Sequence, residues 1–254
     1  MQAAELANLK RLLAAEDGRE LGLVLAQSFA ALPADAELAE LIVRTPAGLL
    51  WAIESGQEAL LSVLEQLSLH YEPLAVLPQP LGYLSSLRSL SLSHNYLSDL
   101  PSNLGDLVAL EKFHIHYNEL TDLPESLGEL PALRSLSLNS CGLSQLPNSL
   151  AQLEQLQELI LMDNELTELP RALAQLQNLE KLIVRGNRLQ RLPEELCALS
   201  KLRILDLGDN EIDRLPYNLP QLSKLQMLHL ERNQLSSGQK RSLSSQLPNV
   251  NIYF

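Results

Sequence analysis

Residues 87–109 read LRSLSLSHNYLSDLPSNLGDLVA, and residues 110–132 read LEKFHIHYNELTDLPESLGELPA. In the first, Leu90 and Leu92 alternate with Ser89, Ser91 and Ser93. That is the period of a strand with one buried face. In the second, Phe113 and Ile115 take the leucine places, and Lys112, His114 and His116 take the serine places. A strand this short cannot bury its apolar face alone. Copies stacked edge to edge, about 4.8 Å apart, would share one continuous core.

The phrase recurs along most of the chain. Leu-Pro doublets fall at 77–78, 100–101, 123–124, 146–147, 169–170, 192–193 and 215–216, always 23 residues apart. One column carries Asn95, Asn118, Asn164, Asn187, Asn210 and Asn233, with Cys141 in the remaining slot. Full units open at Leu87, Leu110, Leu133, Leu156, Leu179, Leu202 and Leu225. A degenerate unit precedes them, with Leu64, Leu67, Leu69 and Leu74 in register and Glu72 in the asparagine slot. A partial unit follows at Leu247, Val250 and Ile252. A period in this range means stacked structural units.

The template L-x-x-L-x-L-x-x-N-x-L-x-x-L-P-x-x-L-x-x-L-x-x resembles the leucine-rich repeat family, in the 23-residue form of cytoplasmic and bacterial scaffolds. The resemblance implies an α/β fold, a curved right-handed horseshoe with a parallel sheet on its concave face. About nine strands are expected, one per unit. Each asparagine sits where the chain leaves its strand. Its amide can donate to and accept from backbone in neighbouring coils, so that a column of them satisfies groups otherwise buried unpaired. Cys141 is small and apolar enough for that column. The Leu-Pro step starts the return on the outer face, where proline's missing N–H is tolerated.

A solenoid exposes its core at both ends unless capped. Residues 1–63 lack the template and read as an α-helical cap of about three to five helices. Leu6, Leu9, Leu12 and Leu13 line one face of the first. Asp17 with Glu20, and Ser55 with Glu58, have capping-box spacing. Pro33 ends the second helix, and Thr45-Pro46 reads as a cap with proline at the first helical position. The repeats occupy 64–235. Residues 236–254 form a C-terminal cap, a short helix and then an edge strand.

Counted from the first leucine of each unit, positions 3, 5 and 7 point away from the core and position 8 lies at the rim. All five histidines of the chain fall in these columns. The candidate partner-binding residues are His70, Tyr71, His94, Lys112, His114, His116, Tyr117, Ile160, Met162, Ile183, Arg185, Asp206 and His229. Exposed tyrosines beside small residues are the usual anchors of an interface. Ile160, Met162 and Ile183 form an apolar patch of the kind that marks contact sites, although isoleucine is also a good strand former.

Imidazoles at the spacing of His94, His114 and His116 can bind zinc, but a closed site wants four ligands. No Cys, Asp or Glu joins them on the nearby face, so no metal is expected. Clustered histidines that gain charge near pH 6 suit a pH-sensitive contact better.

The net charge is −12, without a basic stripe. That opposes nucleic acid and anionic membranes as partners. The longest apolar run, Ala47 to Ile53, is too short to span a bilayer. The first residues lack the basic and apolar regions of a signal peptide. Two cysteines make no disulfide framework, which favours the cytoplasm. No phosphate-binding loop or nucleophile elbow occurs, and neither Cys141 nor Cys197 has an adjacent base. The expectation is a non-catalytic, cofactor-free protein-interaction scaffold, with a monomer favoured. The alternatives are a ligand- or metal-binding module built on the His/Tyr cluster, and a secreted effector acting on host proteins.

Overall fold

The computed structural model describes residues 1, 3–15, 26, 32–71, 77 and 81–254. Nine three-residue strands form one parallel sheet in chain order. They are β1 (Gln66–Ser68), β2 (Ser89–Ser91), β3 (Lys112–His114), β4 (Ser135–Ser137), β5 (Glu158–Ile160), β6 (Lys181–Ile183), β7 (Ile204–Asp206), β8 (Met227–His229) and β9 (Asn251–Tyr253). The register aligns each position with its counterpart one unit on, as in Leu90↔Phe113 and Phe113↔Leu136. The last coil is one residue longer and pairs His229 with Tyr253.

The ladder runs beyond these short strands. Position 8 donates its N–H to the position-7 carbonyl of the next coil, as in His94 to His116 (2.7 Å), Tyr117 to Asn139 (3.0 Å) and Asp163 to Arg185 (2.9 Å). From β1 to β8 each connection contains a 3-10 turn. Pro124, Pro147, Pro170 and Pro193 precede those turns with φ between −69° and −58°, the range the ring imposes.

The core is a leucine spine. Position-4 and position-6 residues such as Leu136, Leu138, Leu159, Leu161 and Leu182 are fully buried. Each contributes about 2–3 kcal/mol by leaving water. The asparagine column closes one side of the spine. Asn164 Nδ2 donates to Leu138 O (2.7 Å) and Leu161 O (3.1 Å), while its Oδ1 accepts from Cys141 N and Leu143 N, both at 3.1 Å. Asn187 and Asn210 repeat this pattern. In their column the Cys141 thiol reaches Ile115 O at 3.2 Å. A thiol has no acceptor comparable to Oδ1 for the coil before it.

The apolar cluster continues from the repeats into both ends. At the N-terminus lie α1 (Ala3–Ala14), α2 (Ala36–Ile42), α3 (Pro46–Glu54) and α4 (Glu58–Leu61). Leu9 and Leu13 of α1 are fully buried, Leu6 packs against the cluster and Leu12 is half-buried. Lys10 ties α1 to α2 through Asp35 and Glu37, both at 2.8 Å. Asp35 caps α2 by accepting from Leu38 N, and Thr45 caps α3 by accepting from Gly48 N.

The expected capping box at Ser55 and Glu58 does not form. Ser55 closes α3 instead, and its hydroxyl donates to Trp51 O at 2.6 Å. The next helix opens after Gln57 without a side-chain cap. The Asp17–Glu20 pair, Glu72 and Leu74 lie outside the described residues. At the other end α5 (Ser237–Gln246) starts with a capping box between Ser236 and Gln239 and leads into β9.

Candidate functional site

The concave face is built by the strand period, and its rim by an unusual backbone. Position 8 is left-handed in every coil from the first: Tyr71, His94, Tyr117, Ser140, Asp163, Gly186, Asp209 and Arg232 have φ between 52° and 71°. For residues other than glycine this costs on the order of 1 kcal/mol each. The interstrand hydrogen bond that each position-8 N–H makes helps to hold it. The left-handed turn ends the strand, sends Asn inward at position 9 and leaves the position-8 side chain on the rim.

Three consecutive rims carry rings, and these stack. Tyr71 and His94 lie 4.4 Å apart at 13°, and His94 and Tyr117 lie 4.4 Å apart at 18°. The stack follows the strand spacing. Contacts of this kind are worth about 0.5–1.5 kcal/mol each, and they hold the rings before any partner arrives. Tyr71 is 75% exposed and Tyr117 is 55% exposed. His70 is exposed beside them.

Inside the rim, His114 and His116 stand on the concave face with ring centres 6.0 Å apart. Both rings lean towards β4. His116 Nε2 lies 2.8 Å from Ser137 Oγ, and His114 Nε2 lies 3.4 Å from Ser135 Oγ. The serines beneath them are consequently buried, which the alternation of the sequence alone does not show. Partial burial lowers the pKa of both imidazoles. Lys112 pushes His114 further down against a smaller opposing pull from Glu158, and His114, His94 and His70 push His116 further down.

The middle of the face is apolar. Ile160 and Ile183 are directly paired across β5 and β6, and Met162 follows on the same side. All three are half-buried, against the full exposure that their outward position suggests. Ile160 and Ile183 stand opposite one another across the two strands, where paired side chains cover part of each other.

The last strands close on themselves. Arg185 bridges Asp209 and lies 3.8 Å from Asp206 and 3.7 Å from Glu231. Gly208 makes this possible, because a Cβ there would lie 2.6 Å from Arg185 Nη1. His229 bonds Glu231 at 3.2 Å and stacks on Tyr253 at 4.4 Å. Asp206, His229 and Glu231 are the described trio whose metal-ligating atoms lie within 4.8 Å of one another. The Arg185 guanidinium already lies against two of them. Three of the candidate residues, Arg185, Asp206 and His229, are thus engaged within the chain. Their partners Asp209 and Glu231 lie in the outward columns at positions 8 and 7, although neither is among the candidate residues named above. Counted from Leu247, Tyr253 falls at outward position 7, whereas the sheet pairs it with His229 at position 5, so the partial unit is two residues out of the register read from the sequence.

Burial pushes the thiols of both Cys141 and Cys197 up to about 11. At neutral pH both are protonated, and neither is an activated nucleophile.

A model of the leucine-rich repeat family matches residues 85–143, 131–189 and 177–235. The chain belongs to the leucine-rich repeat family. The leucine-rich repeat protein of Leptospira interrogans is 36% identical over 78% of this chain and 50% of its own length, with a TM-score of 0.74. The ectodomain of the Arabidopsis thaliana membrane receptor kinase GASSHO1/SCHENGEN3, solved in complex with Casparian strip integrity factor 2, is 25% identical over 91% of this chain and 27% of its own length, with a TM-score of 0.68. An internalin of Listeria monocytogenes shares the fold at 18% identity, covering 99% of this chain and 88% of its own, with a TM-score of 0.65. The chain thus spans half the length of the Leptospira leucine-rich repeat protein and about a quarter of that of the plant receptor. No curated protein matches it by sequence. Among the described residues no helix is long and apolar enough to cross a membrane.

Proposed function

We propose that this chain is a non-catalytic protein-binding module whose partner docks on the concave face, over β1 to β6 and the adjoining rim. The observation that carries this reading is the exposed Tyr71–His94–Tyr117 stack, fixed in place by left-handed backbone. A preformed aromatic surface loses little conformational entropy on binding, and tyrosines of this kind dominate interface energies. The half-buried Ile160, Met162 and Ile183 extend it with apolar area. The plant receptor ectodomain, which shares this fold, is solved with its own bound factor, and that supports a binding role for the same architecture here. The helices of residues 1–63 and the segment 236–254 serve as caps on the repeat core. Two buried cysteines without a disulfide favour the cytoplasm as its place of action.

Affinity capture with wild type and with a Tyr71→Ala/Tyr117→Ala/Ile160→Ser variant tests the reading. Circular dichroism should be nearly unchanged; losing two ring stacks and part of the half-buried Ile160 lowers the melting temperature modestly, so capture is run well below both melting temperatures. Recovery of wild-type partners is expected to fall at least about tenfold, as for the loss of interface anchors. Equal recovery by the two proteins rejects the assignment.

A further inference from the structure

From the charge distribution on the concave face we infer that the docked segment is an acidic peptide, with Asp or Glu side chains over β2 to β4 and an apolar residue over β5 and β6. This rests on the concave-face reading above and names the chemistry of its partner. The outward positions of β1 to β4 carry hydroxyls, amides, rings, one lysine and four imidazoles, and no carboxylate. The first outward carboxylate on this face is Glu158 of β5, which accepts from Ser135 Oγ at 3.2 Å. In a chain of net charge −12, this carboxylate-free island stands apart from its surroundings. The other charged zone, around Arg185, is already neutralised from within.

A partner carboxylate at the island would meet Lys112 and the ring N–H groups of His114 and His116. The groups facing those two rings are Lys112, Glu158, His94, His70 and the hydroxyls of Ser135 and Ser137. Apart from Glu158, nothing among these favours the imidazolium form, so the unbound rings stay neutral at neutral pH. A carboxylate brought against them raises their proton affinity, and binding takes up protons. Affinity therefore rises as pH falls from neutrality through the bound-state pKa, by up to about tenfold per pH unit for each proton taken up. The distance from β3 to the β5–β6 patch is about 12 Å, which an extended peptide covers in about four residues. The expected ligand has an acidic residue followed or preceded, about four positions away, by an aliphatic one.

The test is selection of a random phage-displayed peptide library on the whole chain at pH 6.0, followed by fluorescence anisotropy of the selected peptides. Peptides enriched in Asp and Glu are expected. Their affinity should fall at least about tenfold between pH 6.0 and 7.5. It should also fall in Lys112→Glu and in the milder, surface-preserving His114→Gln/His116→Gln variant. Neutral or basic peptides that respond to the Tyr71→Ala/Tyr117→Ala/Ile160→Ser variant would overturn the acidic assignment and leave the concave-face reading standing. So would acidic peptides whose affinity ignores pH and the histidine substitutions. Peptides indifferent to every concave substitution, or no selected peptide at all, would count against both.

Discussion

Replacement of Asn164 by alanine is expected to lower the stability of the chain by about 3–5 kcal/mol. The side chain is buried in the middle of the column and contacts backbone of its own coil and of the one before. Its loss strands the carbonyl of Leu138 and the amides of Cys141 and Leu143, while Leu161 O keeps its bond from Asn187 Nδ2. Each buried group left unpaired costs about 1–3 kcal/mol, and partial relaxation recovers some of that. Asn233, half-buried near the C-terminal end, makes a similar set of bonds, and its alanine variant is expected to cost about half as much. Urea unfolding of the two variants checks the order. Amide exchange should quicken at Cys141 and Leu143 in the first variant and at Ile212 in the second. A loss below about 1 kcal/mol for Asn164→Ala would mean that the column is not what ties adjacent coils together.

The second large effect lies on the opposite side of the solenoid. Gly128 sits in the 3-10 turn Glu125–Glu129, packed against the turn Asn148–Gln152 of the next coil. A Cβ added there would lie 2.2 Å from Ser149 O and 2.6 Å from Ser149 C. Those are backbone atoms, and they can give way only if the two coils separate. Gly128→Ala is expected to cost about 3 kcal/mol, the upper part of the usual range for overpacking. Gly105 occupies the same place one coil earlier, but a Cβ there first meets the Glu129 carboxylate at 2.9 Å, the movable end of a side chain. Gly105→Ala should cost distinctly less. The sequence follows the same gradient, with Ala151, Ala174 and Cys197 in the later coils of this column. Thermal melts of the two variants compare them directly, and equal losses would contradict the backbone contact at Ser149.

The repeat was legible because it is written many times over. The alternation around Leu90 and Leu92 gives the strand, the 23-residue spacing gives the stack, and the asparagine column gives its hydrogen bonds. Single-copy features were harder to read. Ser55 and Glu58 have capping-box spacing, but the Ser55 hydroxyl satisfies the carbonyl of Trp51 at the end of the preceding helix. At the site, the columns place His94, Tyr71 and Tyr117 on one rim. Gly186, Asp163, Asp209 and His94 are residue types enriched in left-handed backbone, but Tyr71, Tyr117 and Arg232 in the same column carry no such signal. The stacking follows from that backbone. Likewise the burial of Ser135 and Ser137 depends on which way two imidazole rings lean, and alternation is silent on that. The internal closure around Arg185 depends on Gly208 leaving room for the guanidinium. It is a packing fact between coils and has no motif within one.

The measurement that bears most directly on the concave-face assignment is hydroxyl-radical footprinting of the chain alone and with the partner captured by wild type. Tyr71, Tyr117 and Met162 should lose reactivity in the complex. Tyr217, 87% exposed on the return side of its coil, should keep its reactivity. Protection of Tyr217, or of Trp51 in the N-terminal helices, with Tyr71, Tyr117 and Met162 unchanged would place the partner elsewhere and contradict the account.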